Sequence, residues 1–232
     1  PDQFTIPHDR QAAALLNHAR DLGINLLDTA PAYGNSEQRL GKLLRGQRQQ
    51  WVICTKVGEE FDDGVSRYCF DADHVRMSVE RSLQRLGTDY LDLVLVHSNG
   101  EDAAIIERYG ILEVLAEIKR AGMIRGFGMS TKTVAGGILA ASRADCVMVT
   151  YNLDHRQESP VLDYCANQGN AVLVKKAFGS GHLSQELADP VRENLRFIFN
   201  HPAVASAVLG TINPDHMAHN VAAYESLALP RG

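Results

Sequence analysis

The sequence predicts one α/β domain over residues 1–232, a TIM (β/α)8 barrel that lacks its first strand within this chain. Three observations predict it. Short apolar runs with β-branched residues alternate along the chain with segments of helical spacing. No G-x-G-x-x-G motif follows any apolar run, so the phosphate loop of a doubly wound dinucleotide-binding sheet is missing. Polar residues capable of chemistry stand at the same end of successive runs, where a barrel builds its active site.

The candidate strands are residues 24–27, 51–57, 91–97, 124–129, 146–151, 171–176 and 203–209. The first helix starts at Asp9 as N-cap, runs Ala12, Leu15, Leu16, Ala19 and Leu22 along one face, and stops at Gly23. Asp73 opens a second stripe of Val75, Val79, Leu83 and Leu86 before Gly87. Ile111, Val114, Leu115 and Ile118 make another, and a last helix runs from about 214 to 227. The count is seven strands and eight helices, a parallel sheet with helical crossovers. A barrel of this kind closes with eight strands. Residues 2–6 are too short and too near the first helix to supply the missing one. The expectation is that a first strand belongs upstream of Pro1, and that the strands ending at Asp28 and Leu209 keep unpaired edges. Cofactor binding by the chain as given is then expected to be weak.

At 232 residues and 45% hydrophobic content, the chain buries a full core without a second domain. Its net charge of -5 and lack of a basic stripe argue against a nucleic-acid partner. No apolar stretch has the length of a membrane span. Cys54, Cys69, Cys146 and Cys165 lack metal-site spacing and read as reduced, mostly buried thiols of a cytoplasmic protein. No metal ligand set is expected, and the oligomeric state is left open.

Asp28 follows the first run, Lys56 nears the end of the second, His97 closes the third, and Tyr33 sits in the loop after Asp28. Each has an ordinary explanation as a turn former, solvated charge, packing residue or structural histidine. Their gathering at one face is what those separate explanations do not account for. Reduction of a carbonyl needs hydride on carbon and a proton on the developing alkoxide. Tyr33 supplies the acid, Lys56 favours its phenolate, Asp28 holds Lys56 charged, and His97 donates to the carbonyl oxygen. Tyr33 and His97 thereby also form the substrate site, with Asn99, Trp51 and Phe61 as candidate pocket residues.

Residues 23–34, Thr55-Lys56-Val57 and Leu95-Val96-His97 closely resemble the aldo-keto reductases. The resemblance continues through residues 86–93, 126–130 and 210–214. It implies a catalytic tetrad of Asp28, Tyr33, Lys56 and His97 and a cofactor, NADPH with NADH as the alternative. Glycines after the last strands and the start of the last helix suit a phosphate by exposed N–H groups. By resemblance the cofactor site takes Asp28, Phe178, Gly179, Ser180, Gly181, Gly210, Thr211, Asn213, His216 and Asn220.

The sequence departs from the family at the nicotinamide end. The usual Ser-Asn pair is Ser130-Thr131, the usual Gln is Met148, and an aromatic that stacks on the ring in many members is Lys175. The Arg often used for the 2′-phosphate is His216, which carries only part of a charge near neutrality. The expected activity is reduction of small carbonyl compounds at an open site. The rival reading, a cofactor-binding or sensory protein with little turnover, rests on Thr131, Met148 and Lys175. A third, a lyase or isomerase acting on a phosphorylated substrate, leaves the Tyr33 and Lys56 pairing without a purpose.

Overall fold

Seven parallel strands form one sheet whose spatial order repeats the order of the chain. Such an order has no point of reversal, which separates it from a doubly wound sheet. The computed structural model describes residues 5–179 and 188–227. The sheet contains β1 (Leu26–Asp28), β2 (Val52–Val57), β5 (Leu91–His97), β6 (Ile124–Ser130), β7 (Cys146–Thr150), β8 (Ala171–Lys175) and β9 (Val204–Ala207). A separate antiparallel hairpin, β3 (Glu59–Asp62) and β4 (Val65–Tyr68), rises between β2 and the next helix.

Around the sheet lie α1 (Asp9–Asp21), α2 (Ser36–Leu43), α3 (Ala72–Leu86), α4 (Asp102–Tyr109), α5 (Ile111–Arg120), α6 (Val134–Ala141), α7 (Ser159–Gln168), α8 (Pro190–Phe199) and α9 (Pro214–Glu225). The sequence count of eight helices becomes nine among the described residues. One reason is Gly110, whose left-handed backbone (φ 57°) ends α4 and starts α5. Two N-caps also differ. His8, not Asp9, caps α1 in a reciprocal box with Gln11, while Asp9 pairs with Arg39 at 2.9 Å. Asp71, not Asp73, caps α3 by accepting from the His74 N–H.

The strands follow period two, and each face has its own core. Ile53, Val57, Val94, Val96, Val147, Val149, Val172 and Val174 face outward into the large core under the helices. Cys54, Leu95, Cys146, Met148 and Leu173 face inward and pack together, with Leu26, Leu93, Ala171 and Val208 around them. Gly128 lets β6 approach β7 on this side, since a Cβ there would lie 2.1 Å from the Cys146 carbonyl oxygen. The sheet is therefore curled around a small interior. The four cysteines are free, three of them buried.

Among the described residues β1 and β9 flank the curl without a strand between them, and no strand precedes α1. The two edges still approach, for α1 packs on α9. Between them lies a cavity of about 680 Å³ lined by Leu15, Leu26, Phe199, Ala207, Leu209 and Tyr224 among others. This matches the expected seven-strand count and places the break in the barrel beside Asp28. Among the described residues no helix is long and apolar enough to cross a membrane.

Candidate active site

Asp28, Lys56, His97, Ser130 and Lys175 each lie two residues beyond an inward-facing position, so period two carries them above the small interior core. They occupy the C-terminal ends of β1, β2, β5, β6 and β8. The Lys56 Nζ lies 2.7 Å from both Asp28 carboxylate oxygens and donates to the Thr29 carbonyl at 3.0 Å. Its side chain is 2% exposed. Burial is the largest single influence on the Lys56 pKa and lowers it, but Asp28, Cys54 and Tyr33 together outweigh it and the net value is raised. The strand beneath is braced by buried Glu37 of α2, which accepts from Thr55 Oγ1 at 2.7 Å and pairs with Arg85.

Tyr33 arrives from the loop after β1, with Lys56 Nζ 5.0 Å from its ring centroid. Its ring meets that of His97 edge-on, centroids 6.2 Å apart. The four expected residues are thus brought together. Burial is the largest influence on the Tyr33 pKa and raises it, with Lys56 opposing. The expectation that Lys56 lowers the phenol holds for its own contribution, yet burial outweighs it. The phenol stays protonated near neutrality.

His97 meets a residue the sequence reading did not use. Glu59, first in β3, places Oε2 2.6 Å from His97 Nδ1, without the alignment of a completed hydrogen bond. Burial lowers the His97 pKa to about 4, with Glu59 opposing and Lys56, Lys175 and Lys132 adding to the fall. The hairpin that delivers Glu59 had a signal in Asp63-Gly64, both at positive φ (47° and 80°), the dipeptide of a tight hairpin turn. Gly58 (φ 99°) turns the chain into it under Phe70, where a Cβ would meet the ring at 2.6 Å.

On the far side, Lys175 Nζ donates to Ser130 Oγ at 2.8 Å and to the Thr131 carbonyl at 2.7 Å. Burial lowers its pKa to about 8, with Glu158 opposing. Glu158, also unremarked in the sequence, accepts from the Thr150 N–H at 2.8 Å and from Thr131 Oγ1 at 3.4 Å. Met148 is 2% exposed and belongs to the interior core. Its side chain packs there opposite Ser130, its partner in the register of β6 and β7.

Trp51 is corrected as a pocket residue: it precedes β2 at the opposite end of the strands and is 3% exposed in the outer core. Phe61 is 49% exposed on the hairpin. Asn99 is exposed after β5, its Oδ1 accepting from the Glu101 N–H. Phe178 packs partly against the outer core, and Gly179 donates its N–H to the Lys176 carbonyl. Ser180 and Gly181 lie outside the described residues. Gly210 is exposed with open space at its Cβ position, and Thr211 and Asn220 line the cavity between β1 and β9. Asn213 caps α9, and His216 is exposed in its first turns.

The donor set fits an anionic dinucleotide at two points, the Lys175 ammonium and the exposed Gly210 before the N-terminus of α9. A family model described as the aldo/keto reductase family matches residues 3–194. The chain belongs to the aldo/keto reductase family. A crystal structure of a Pseudomonas aeruginosa protein assigned to the aldo-keto reductases superposes with a TM-score of 0.90 at 55% identity, covering 96% of this chain and 85% of that one. An aldo-keto reductase from Bacillus halodurans, in its holo form, gives 0.84 at 26% identity, with 95% and 84% covered. The sequence is 29% identical to an uncharacterized oxidoreductase of Bacillus subtilis, over 80% of this chain and 62% of that protein. It is 28% identical to the pyridoxine 4-dehydrogenase of Escherichia coli, over 96% and 85%. The chain spans less than two thirds of the Bacillus subtilis oxidoreductase's length. Within this family frame, the Asp28, Lys56, Tyr33 and His97 cluster keeps the residues of the sequence resemblance, while Lys175 and Met148 are departures with defined surroundings.

Proposed function

We propose that this protein is an oxidoreductase that reduces aldehydes or ketones to alcohols with a nicotinamide cofactor, NADPH in the first instance and NADH as the alternative. One observation carries the reading: side chains from three strand ends and one loop meet at the mouth of the barrel, with Lys56 held between both oxygens of Asp28. The cofactor supplies hydride to the carbonyl carbon when bound. Tyr33 gives its phenolic proton to the oxygen, and the adjacent Lys56 ammonium stabilises the phenolate left behind. Asp28 keeps that ammonium charged and fixed in a nearly dry setting. His97 faces Tyr33 and orients the substrate. Ser130, Thr131 and Lys175 are proposed for the nicotinamide end, and Gly210, Thr211, Asn213, His216 and Asn220 for the adenosine phosphate end. Loss of NADPH absorbance with a panel of small aldehydes tests the reading, with Tyr33→Phe as control. Turnover that survives in the variant overturns the role of Tyr33.

The second reading, a cofactor-binding protein with little turnover, is favoured by the Lys175 amine already engaged with Ser130 and Thr131. Fluorescence titration separates the two: NADPH binding without oxidation in the presence of any aldehyde supports the second.

A further inference from the structure

The hairpin that follows β2 has two faces, and its contacts assign both. Side chains alternate along each strand, and residues paired across the ladder share a face. Glu59, Phe61, Ser66 and Tyr68 therefore stand on one face, and Glu60, Asp62, Val65 and Arg67 on the other. Glu60 pairs with His74 at 3.2 Å and with Arg81, so the second face is turned to α3 on the outside of the barrel. Glu59 reaches His97 at 2.6 Å, so the first face is turned over the barrel mouth.

Three residues of this inner face fix one another. Glu59 Oε1 accepts from the Ser66 hydroxyl at 2.7 Å and from the Tyr68 hydroxyl at 3.1 Å, and the Tyr68 ring stacks on Phe70 with centroids 6.0 Å apart. Phe61, the fourth, is 49% exposed, and among the described residues it joins neither core and stacks on no other ring. A lone exposed phenylalanine is ordinary on a protein surface. This one is carried by a braced ladder on the side that looks onto His97, and Tyr33 across the mouth is itself 46% exposed. Water held against such a ring is released when an apolar group takes its place.

We propose, on the reductase reading of this site, that the inner face of the hairpin is the outer wall of the substrate site and that Phe61 is its specificity-determining residue, contacting the part of a carbonyl substrate remote from the reacting carbon. Phe61 follows Glu59 by two residues, about 7 Å along the strand, so its ring stands that much farther out than the group touching His97. Acetaldehyde held between Tyr33 and His97 falls short of the ring, whereas the chain of hexanal reaches it. The ladder is pinned at α3 and at His97, so the ring is positioned before substrate arrives and little ordering of the hairpin opposes the contact.

Two readouts test it. In turnover, Phe61→Ala is expected to lower the ratio of kcat/KM for hexanal over acetaldehyde by about tenfold, mainly through the KM for hexanal, and Phe61→Leu is expected to recover most of the ratio by restoring apolar surface. Without turnover, in protein carrying 13C-labelled phenylalanine, the Phe61 ring signals, identified by their loss in Phe61→Leu, are expected to shift on titration with hexanol and to stay in place with ethanol. A ratio unchanged in Phe61→Ala overturns the proposal, as do ring signals indifferent to hexanol. Ring signals that respond instead to protein concentration assign Phe61 to contact with a second copy of the chain and overturn it as well. If Phe61→Ala does not fold, the ring signals decide alone. A protein that reduces no aldehyde yet shifts with hexanol refutes the reductase reading and leaves Phe61 in an apolar binding face, whereas turnover of both aldehydes with an unchanged ratio in the variant does the reverse.

Discussion

The ammonium of Lys56 sits 2.7 Å from each carboxylate oxygen of Asp28, bridging the ends of β1 and β2 at the lip of the cavity between β1 and β9. Both charges are nearly sheltered from water, at 2% and 10% side-chain exposure. Removing either partner strands the other. Lys56→Met is expected to abolish turnover and to destabilise the fold by about 3–5 kcal/mol, and Asp28→Asn in the same chain should recover part of the stability but none of the activity. Denaturant melts of the single and double variants check this; simple additivity of the two losses would contradict it.

Tyr33→Phe is expected to lower kcat by at least roughly a hundredfold while cofactor affinity stays within about twofold, because the hydroxyl acts on substrate oxygen. Fluorescence titration alongside steady-state assays reads both quantities. Parallel loss of cofactor binding would move Tyr33 out of the proton-donor role.

The depressed pKa of His97, about 4, makes it a source of acid sensitivity. In the unfolded chain histidine takes its proton near pH 6.5, while the folded ring resists until about pH 4. Its contribution to stability is therefore complete above about pH 6.5 and is lost as pH falls through 4, amounting to roughly 2–4 kcal/mol. His97→Gln should flatten that part of the stability profile. Identical profiles from pH 7 to pH 4 would show that the ring is not shielded as described.

Lys175, lowered to about 8 by burial, is expected to be unusually nucleophilic for a lysine. At pH 8 about half of it is unprotonated, against about 0.4% for an ordinary lysine. Limiting reductive methylation followed by peptide mass mapping should label Lys175 ahead of the exposed lysines, and NADPH should slow the labelling. Uniform labelling would contradict the depressed value, and labelling indifferent to NADPH would place the cofactor elsewhere.

His216 stands exposed on the first turns of α9, where the resemblance to the family put a 2′-phosphate ligand. Its imidazole gains charge as pH falls, whereas an arginine stays charged throughout. The preference for NADPH over NADH is expected to be moderate and to grow with acidity. Equal affinity for the two cofactors at every pH would remove His216 from the phosphate site.

The sequence by itself determined the elements and the parity of the site. Strand runs of period two place Asp28, Lys56, His97 and Ser130 on the inward face, because a side chain two residues beyond a core position must point the same way. The count of seven sheet strands was legible for the same reason. Tertiary structure decided what those side chains touch. Glu59 reaches His97 only because a hairpin folds over from outside the sheet, and the run around Glu59 has no apolar alternation to announce it. Met148 shares the inward parity of the site and pairs in register with Ser130, and only the packed structure shows its side chain among Cys54, Leu95, Cys146 and Leu173. Trp51 was read as lining the pocket, yet it enters β2 from the far end. The pKa of Tyr33 followed the same division: sequence supplied the neighbouring cation, and only packing revealed that loss of water outweighs it. Local pattern fixes direction along and across a strand, while distance between strands, desolvation and the protonation of a buried ring arise from contacts made by residues far apart in the chain.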